Sequence, residues 1–170
     1  YFTLASQILR FTQAPWAPCG DDNLKSISFS KVNNIIGEIN KMKIHHYGLA
    51  TSDILRSAET FRLLGYKVSE PVSDPIQKVQ IVFVSREGES PIELICDSEA
   101  NGPTNGFLSK VGSGLYHICY EVENIDEAIN TLRKNHFLVK QKPVGATAFH
   151  GKKIAWLYNR DIGLIELLEK

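Results

Sequence analysis

Hydrophobic and polar positions repeat along this chain. The segment KIHHYGLATSDI, at 43–54, aligns with GLYHICYEVENI, at 114–125, and His46 then falls on His117, 71 residues later. The segments PIELI and LIELL align at nearly the same offset, and both have a glutamate between apolar residues. Two concordant offsets indicate a duplicated structural module.

Each copy has the pattern of one strand, one helix and three further strands. The first strand leads to Asp53 or Asn124, both favourable helix N-cap residues. Apolar residues then recur at helical spacing on one face. Runs rich in β-branched and aromatic residues predict later strands at about 79–84, 91–95, 153–158 and 164–168. The sequence therefore predicts an α+β fold of two βαβββ modules, at about 43–98 and 114–170.

Residues 1–42 have no counterpart in the repeat. Apolar residues at helical spacing near both ends of this stretch predict an extra N-terminal helical segment. We interpret it as an extension of unknown role before a domain at 43–170. An accessory cap, a dimerisation element and the tail of a preceding domain are all consistent with the pattern.

Strand alternation predicts which face the repeated glutamates occupy. Because neighbouring side chains point to opposite faces of a strand, Glu93 and Glu166 should point away from the apolar residues beside them. If the apolar residues face the helices, both glutamates face the opposite surface. The same reasoning turns His46 and His117 to that surface and directs His45, Tyr47, Tyr116 and Ile118 towards the helices.

Two histidines and two glutamates that meet at one point would suit a divalent metal ion. Imidazole binds Zn, Co, Ni and Fe, and carboxylate adds affinity for Mn. Two neutral imidazoles and two carboxylates also balance the charge of one such ion. Taken singly, a strand histidine is more often a structural residue and such a glutamate more often lies on a solvated face. Repetition in both copies favours a metal site formed by His46, Glu93, His117 and Glu166.

Composition excludes several classes of function. The 170 residues include 19 basic and 19 acidic side chains, so there is no net positive charge to attract nucleic acid or anionic lipid. No apolar run approaches the roughly 20 residues that cross a bilayer. The cysteines, Cys19, Cys96 and Cys119, form no CxxC pair, which is typical of a reducing compartment. We therefore predict a cytoplasmic protein that binds neither nucleic acid nor membrane.

These residues resemble the vicinal oxygen chelate superfamily of glyoxalases, extradiol dioxygenases and methylmalonyl-CoA epimerases. The epimerase branch has stretches similar to NGPTNGFLSK, GLYHICYEV and HGKKIAWL, which begin here at Asn101, Gly114 and His150. The resemblance spans about three quarters of the chain and implies a half-barrel formed by the two modules. It also implies that the family's four metal ligands correspond to His46, Glu93, His117 and Glu166, although several epimerases have Gln at the position of Glu93.

The resemblance implies a metal-dependent epimerase or isomerase that acts on an acyl thioester similar to methylmalonyl-CoA. A metal-stabilised enolate would form after a carboxylate removes the α-proton, and a proton would return on the opposite face. Some epimerases have a base glutamate early on the second strand, but 77–83 contains no acid here. Glu93 and Glu166 are therefore the candidate catalytic residues. The partner is a CoA or other thioester, and a homodimer is consistent with the family.

Two alternatives use the same fold. A glyoxalase-type lyase would bind a thiol adduct with the same four ligands and a different pocket. A small-molecule binding or resistance protein would need no metal and usually lacks the full ligand set, so the intact set disfavours it.

Overall fold

A computed structural model describes residues 42–170. Within that range the helices are α1 (Ile54–Leu63), α2 (Asn105–Val111) and α3 (Ile125–Arg133). The strands are β1 (Lys43–Ala50), β2 (Lys67–Val68), β3 (Val72–Asp74), β4 (Val79–Ser85), β5 (Ile92–Asp97), β6 (Gly114–Val122), β7 (Leu138–Gly145), β8 (Lys153–Asn159) and β9 (Gly163–Glu169). The helical segment predicted within 1–41 lies outside the described residues, and the division of the chain at residue 42 stays a prediction.

One mixed sheet contains all of these strands. Its order is β2-β4-β5-β1-β6-β9-β8-β7, and β3 pairs with β4. The first module supplies the strands on one side of the β1–β6 pair, and the second module supplies the other side. Since β1 and β6 run antiparallel, the two modules join edge to edge through their first strands. This confirms the predicted α+β fold class.

The strand registers preserve the duplication. In the first module β1 runs parallel to β5 with Tyr47 opposite Ile92. In the second module β6 runs parallel to β9 with Ile118 opposite Ile165. The two pairs are related by the offsets of 71 and 73 residues found in the sequence. The repeat is therefore a repeat of hydrogen-bonding partners as well as of residue types.

Each long helix begins at its predicted cap and covers one half of the sheet. An Asp53 carboxylate oxygen accepts a hydrogen bond from the Arg56 N–H at 2.9 Å. The Asn124 side-chain oxygen accepts from two backbone N–H groups, each at 3.1 Å. A buried hydrophobic cluster lies beneath each of these helices. The cluster beneath α1 contains Ile54, Ala58, Val82, Val84 and Leu94. The cluster beneath α3 contains Val122, Ile125, Ile129, Leu132, Ala155, Leu157, Ile165 and Leu167. The apolar residues beside Glu93 and Glu166 therefore face the helices, as alternation predicts.

The first module departs from the predicted pattern at its second strand. That strand is divided into β2 and β3, and Pro71 lies between them. Proline has no N–H to donate to a sheet ladder, which confines it to interruptions and edges. The Ser69 hydroxyl instead accepts a hydrogen bond from the Phe83 N–H at 2.9 Å. The Ser69 N–H still donates to the Phe83 carbonyl oxygen at 2.8 Å, so the side chain takes part in only one of the two hydrogen bonds at this pair.

The short helix α2, which joins the modules, is not predicted by the sequence. Its seven residues, NGFLSKV, are too few to show an apolar period. The helix is followed by Gly112, whose φ of 79° is readily adopted only without a side chain. Within 42–170, no helix combines the length and the apolar character that a bilayer crossing requires.

Replacing Asn124 with alanine tests the cap of α3. The substitution removes the acceptor of two backbone N–H groups and should lower the free energy of unfolding by about 1 kcal/mol. Chemical denaturation measures the change. Asn130→Ala, within the exposed part of the same helix, is the matched control and should be neutral or slightly stabilising. Equal destabilisation by both substitutions would contradict the capping role.

Candidate metal centre

The four predicted ligands converge at the centre of the sheet. His46 lies on β1, Glu93 on β5, His117 on β6 and Glu166 on β9, which are four adjacent strands. The two Nε2 atoms of the histidines are 3.1 Å apart. The Nε2 atom of His46 lies 3.3 Å from an oxygen of each glutamate. The corresponding distances from His117 are 3.6 and 3.5 Å.

This spacing fits a single divalent cation. Ligand atoms held at about 2.0–2.2 Å from one ion lie about 3.0–3.5 Å from their neighbours, and the observed contacts are close to that range. All four residues are between 0% and 4% exposed. The Oε2 atom of Glu166 has no hydrogen-bond partner within the described part of the chain. Its nearest polar atoms are the two histidine Nε2 atoms, at 3.3 and 3.5 Å, so either a proton on an imidazole or a cation coordinated by these four groups would offset the cost of burying it.

The four side chains also shift one another's pKa values. Burial lowers the pKa of His46, but Glu166 and Glu93 outweigh this effect and raise it to about 9. Burial by itself would raise the pKa of Glu166. The adjacent His117 and His46 lower it by a larger amount, so the pKa of Glu166 lies below its usual value. In the absence of a cation, a proton on His46 therefore neutralises part of the carboxylate charge at neutral pH.

Two β-bulges turn His45 and Tyr116 to the side of the sheet opposite to the predicted one. The β1–β6 ladder shifts register between Ile44 and His46, so His45 is an extra residue without a partner. A second shift, between Gly48 and Leu49, leaves Tyr116 as an extra residue on β6, immediately before His117. The His45 ring lies 5.5 Å from the Phe149 ring, and Tyr116 lines the cavity beside the four ligands. The prediction that both point towards the helices is wrong, because a bulge interrupts strand alternation.

Gly48 makes room for one of the ligands. It lies directly opposite His117 in the β1–β6 ladder. A Cβ atom at this position would come within 2.0 Å of the His117 ring. Only glycine therefore allows the imidazole its observed place. Gly48 was not among the predicted site residues, although an isolated glycine inside a strand is a recognised signal of a bulge or a close approach.

An apolar cavity of about 220 Å³ adjoins the ligands. It is lined by both modules, with Ile81 and Glu93 from the first and Trp156 and Glu166 from the second. The Trp156 ring meets the His117 ring edge-on at 4.7 Å between centroids. The Phe149 ring stacks on His46 at 5.7 Å. These aromatic residues were also missed, since Trp156 reads as an ordinary strand residue and Phe149 lies outside the predicted strands.

Asp74 connects the two modules beside the cavity. One carboxylate oxygen accepts hydrogen bonds from the N–H groups of Ile76 and Gln77, at 3.0 and 2.9 Å. The other oxygen accepts from the Thr147 N–H at 2.8 Å. Asp74 is 1% exposed. Its three backbone donors make Asp74 a structural link between the two modules.

The chain is similar to proteins of a known family. Residues 45–156 match the family model described as the Glyoxalase/Bleomycin resistance protein/Dioxygenase superfamily. The matched range contains three of the four ligands and the Trp156 side of the cavity. Glu166 lies beyond its end.

Several named proteins are similar over most of their length. Methylmalonyl-CoA epimerase, mitochondrial, from Dictyostelium discoideum is 37% identical over 84% of this chain and 87% of its own. The Homo sapiens protein of the same name is 34% identical over 80% of this chain and 79% of its own. A solved structure of a variant methylmalonyl-CoA epimerase from Streptomyces coelicolor, in complex with 2-nitronate-propionyl-CoA, has a TM-score of 0.67 at 21% identity, covering 75% of this chain and 96% of the other. That structure supports the fold alone.

Gly48→Ala should disturb the centre without unfolding the domain. The new methyl group overlaps the His117 ring and must displace it, so we expect the affinity for Zn²⁺ to fall by at least about tenfold. Competition with a chromophoric chelator measures this. Gly106→Ala is the matched control, since a Cβ there meets no atom within 4 Å. Unchanged affinity in the Gly48 variant would contradict the close packing.

Proton release provides a second test. Because the pKa of His46 is about 9 without a cation, ion binding near pH 7 should displace about one proton per ion. Affinity should rise about tenfold per pH unit up to about pH 9 and then level off. Calorimetry in two buffers of different ionisation enthalpy measures the release. Buffer-independent heats near pH 7 would show that the proton is absent.

Proposed function

The chain belongs to the Glyoxalase/Bleomycin resistance protein/Dioxygenase superfamily, and we propose that it is a metal-dependent epimerase of acyl-CoA thioesters similar to methylmalonyl-CoA. Both named relatives in the comparison above are methylmalonyl-CoA epimerases, at 37% and 34% identity. The observation that supports the reaction itself is the placement of two buried carboxylates beside one cation position, next to an apolar cavity.

His46, Glu93, His117 and Glu166 would hold one divalent ion, of Zn, Co, Ni, Mn or Fe. When bound, such an ion supplies positive charge that polarises a carbonyl oxygen and stabilises the enolate formed at the α-carbon. The side chains themselves hold the ligand set in place and exclude water. The apolar walls of Ile81, Ile95 and Trp156 lower the local dielectric, which strengthens every charge interaction within the cavity.

Proton transfer is assigned to Glu93 and Glu166. They are two of the three acids that line the cavity within the described residues. The third is Asp74, whose oxygens already accept three backbone hydrogen bonds. Each glutamate has a second carboxylate oxygen besides the one nearest the histidines. One glutamate would remove the α-proton and the other, protonated, would return a proton to the opposite face, which inverts the centre.

Gln77 supplies a polar group for the substrate. Its Nε2 atom is buried and has no hydrogen-bond partner among residues 42–170, and the residue lines the same cavity. Its backbone N–H is anchored by Asp74. An amide donor in an apolar cavity suits a carboxylate or carbonyl oxygen of an acyl group. We assign Gln77 to orienting that group.

Substituting each glutamate with glutamine tests the two-carboxylate reaction. An amide oxygen can still bind a cation but cannot accept the α-proton, so metal content should be retained while epimerisation falls at least about 100-fold. In deuterated water, each variant should still exchange the α-proton of one methylmalonyl-CoA epimer and lose exchange from the other. Exchange is read by NMR, and metal content by elemental analysis.

The same experiment separates the competing functions. Full epimerisation in either variant would exclude that glutamate as a base. Wild-type protein that exchanges no α-proton, yet converts a glutathione hemithioacetal, would support the glyoxalase-type lyase instead. Wild-type protein that binds a small ligand without any metal would support a binding protein.

The remaining assignments stay predictions. The homodimer and the cytoplasmic compartment follow from the family resemblance and the cysteine pattern. Two relatives have mitochondrial in their names, and fractionation of cells that express the full-length protein would decide the compartment.

A further inference from the structure

We propose that His45 is a positioning residue that fixes the tautomer and the orientation of the ligand His46. The proposal rests on cation binding by the four ligands and is independent of which substrate the protein acts on. It also replaces the expectation, drawn from strand alternation, that His45 faces the helices.

The surroundings of His46 decide which of its ring nitrogens carries the hydrogen. Its Nε2 atom faces the other ligands, at 3.1 Å from His117 and 3.3 Å from each glutamate. A ring nitrogen that gives its lone pair to a cation carries no hydrogen, so the hydrogen of neutral His46 must be on Nδ1. That buried Nδ1–H group then needs an acceptor.

His45 is placed to be that acceptor. Its Nδ1 atom lies 2.9 Å from the Nδ1 atom of His46, and the two rings meet edge-on. Since one nitrogen must donate and the other accept, His45 keeps its own hydrogen on Nε2. Neutral His45 meets this requirement, and a hydrogen-bonded outer partner of this kind commonly orients a metal-ligating imidazole.

The β-bulge makes the contact possible. Adjacent side chains on a regular strand point to opposite faces, so His45 and His46 could not meet. The extra residue between Ile44 and His46 brings both rings to one side. The Phe149 ring then packs against both histidines, at 5.5 and 5.7 Å between centroids. The His45 ring is therefore held in place from two directions.

The second module provides an internal contrast. Tyr116 occupies the bulge before His117, where His45 stands before His46. Its hydroxyl donates to the Pro103 carbonyl oxygen at 3.1 Å and not to the neighbouring imidazole. The Nδ1 atom of His117 has no hydrogen-bond partner among the residues described. The two copies thus share the bulge, and only the first uses it to fix a ligand.

Two substitutions separate hydrogen bonding from packing. His45→Leu keeps the bulk against Phe149 and removes the acceptor, so we expect the affinity for Zn²⁺ to fall about 10- to 100-fold. His45→Asn loses bulk but places a carbonyl oxygen where Nδ1 stands, so affinity should stay within about threefold of wild type. Competition titration gives the affinities, and the visible spectrum of the Co²⁺ form reports the ligand geometry.

Tyr116→Phe is the matched control at the equivalent bulge. Its hydroxyl bonds to Pro103, so its loss should leave Zn²⁺ affinity and the Co²⁺ spectrum unchanged. In the Zn²⁺ form of the wild type, ¹⁵N NMR should find the hydrogen of His45 on Nε2.

Several results would overturn the proposal. Wild-type affinity in His45→Leu, equal loss in His45→Leu and His45→Asn, or a hydrogen on Nδ1 of His45 would each do so. A second tightly bound ion per chain would also overturn it, because His45, His46 and Cys119 would then form a site of their own. Wild-type protein without affinity for Zn²⁺ or Co²⁺ would remove the metal centre itself, whereas a lack of epimerase activity would leave the role of His45 intact.

Discussion

The compensation of two buried carboxylates by two imidazoles is the interaction on which this structure depends. Glu93 and Glu166 are almost fully buried, and each approaches both histidines within 3.6 Å. An isolated buried carboxylate is strongly unfavourable. Each module contributes one histidine and one glutamate, so neither half assembles the set alone. The charge balance therefore connects the duplication of the chain to the position of its centre.

Local irregularities in β1 and β6 position the side chains of the centre. The bulges at His45 and Tyr116 turn two residues towards the cavity side, and Gly48 leaves space for the His117 ring. Each bulge interrupts the regular hydrogen bonding between two strands, and the glycine increases the backbone entropy that is lost on folding. Because the bulges immediately precede His46 and His117, at matching positions of the repeat, they belong to the duplicated module and not to one strand alone.

The two copies present different side chains to the centre. The bulge carries an imidazole in one copy and a phenol in the other. The second module provides Trp156 and Phe149 against the ligands, and the first provides Asp74 and Gln77.

The amino-acid sequence alone predicted the two modules, their main strands and long helices, the helix caps and the four candidate ligands. Those features depend on period, local hydrogen bonding and repetition, which are properties of short segments. Asp53, Asn124, His46 and Glu166 could all be read in this way. The facing of His45 and Tyr116, the space beside Gly48 and the link made by Asp74 were decided only by the tertiary structure. Each depends on the register of strands that are distant in the chain, and a shift of one residue in that register moves a side chain to the opposite face.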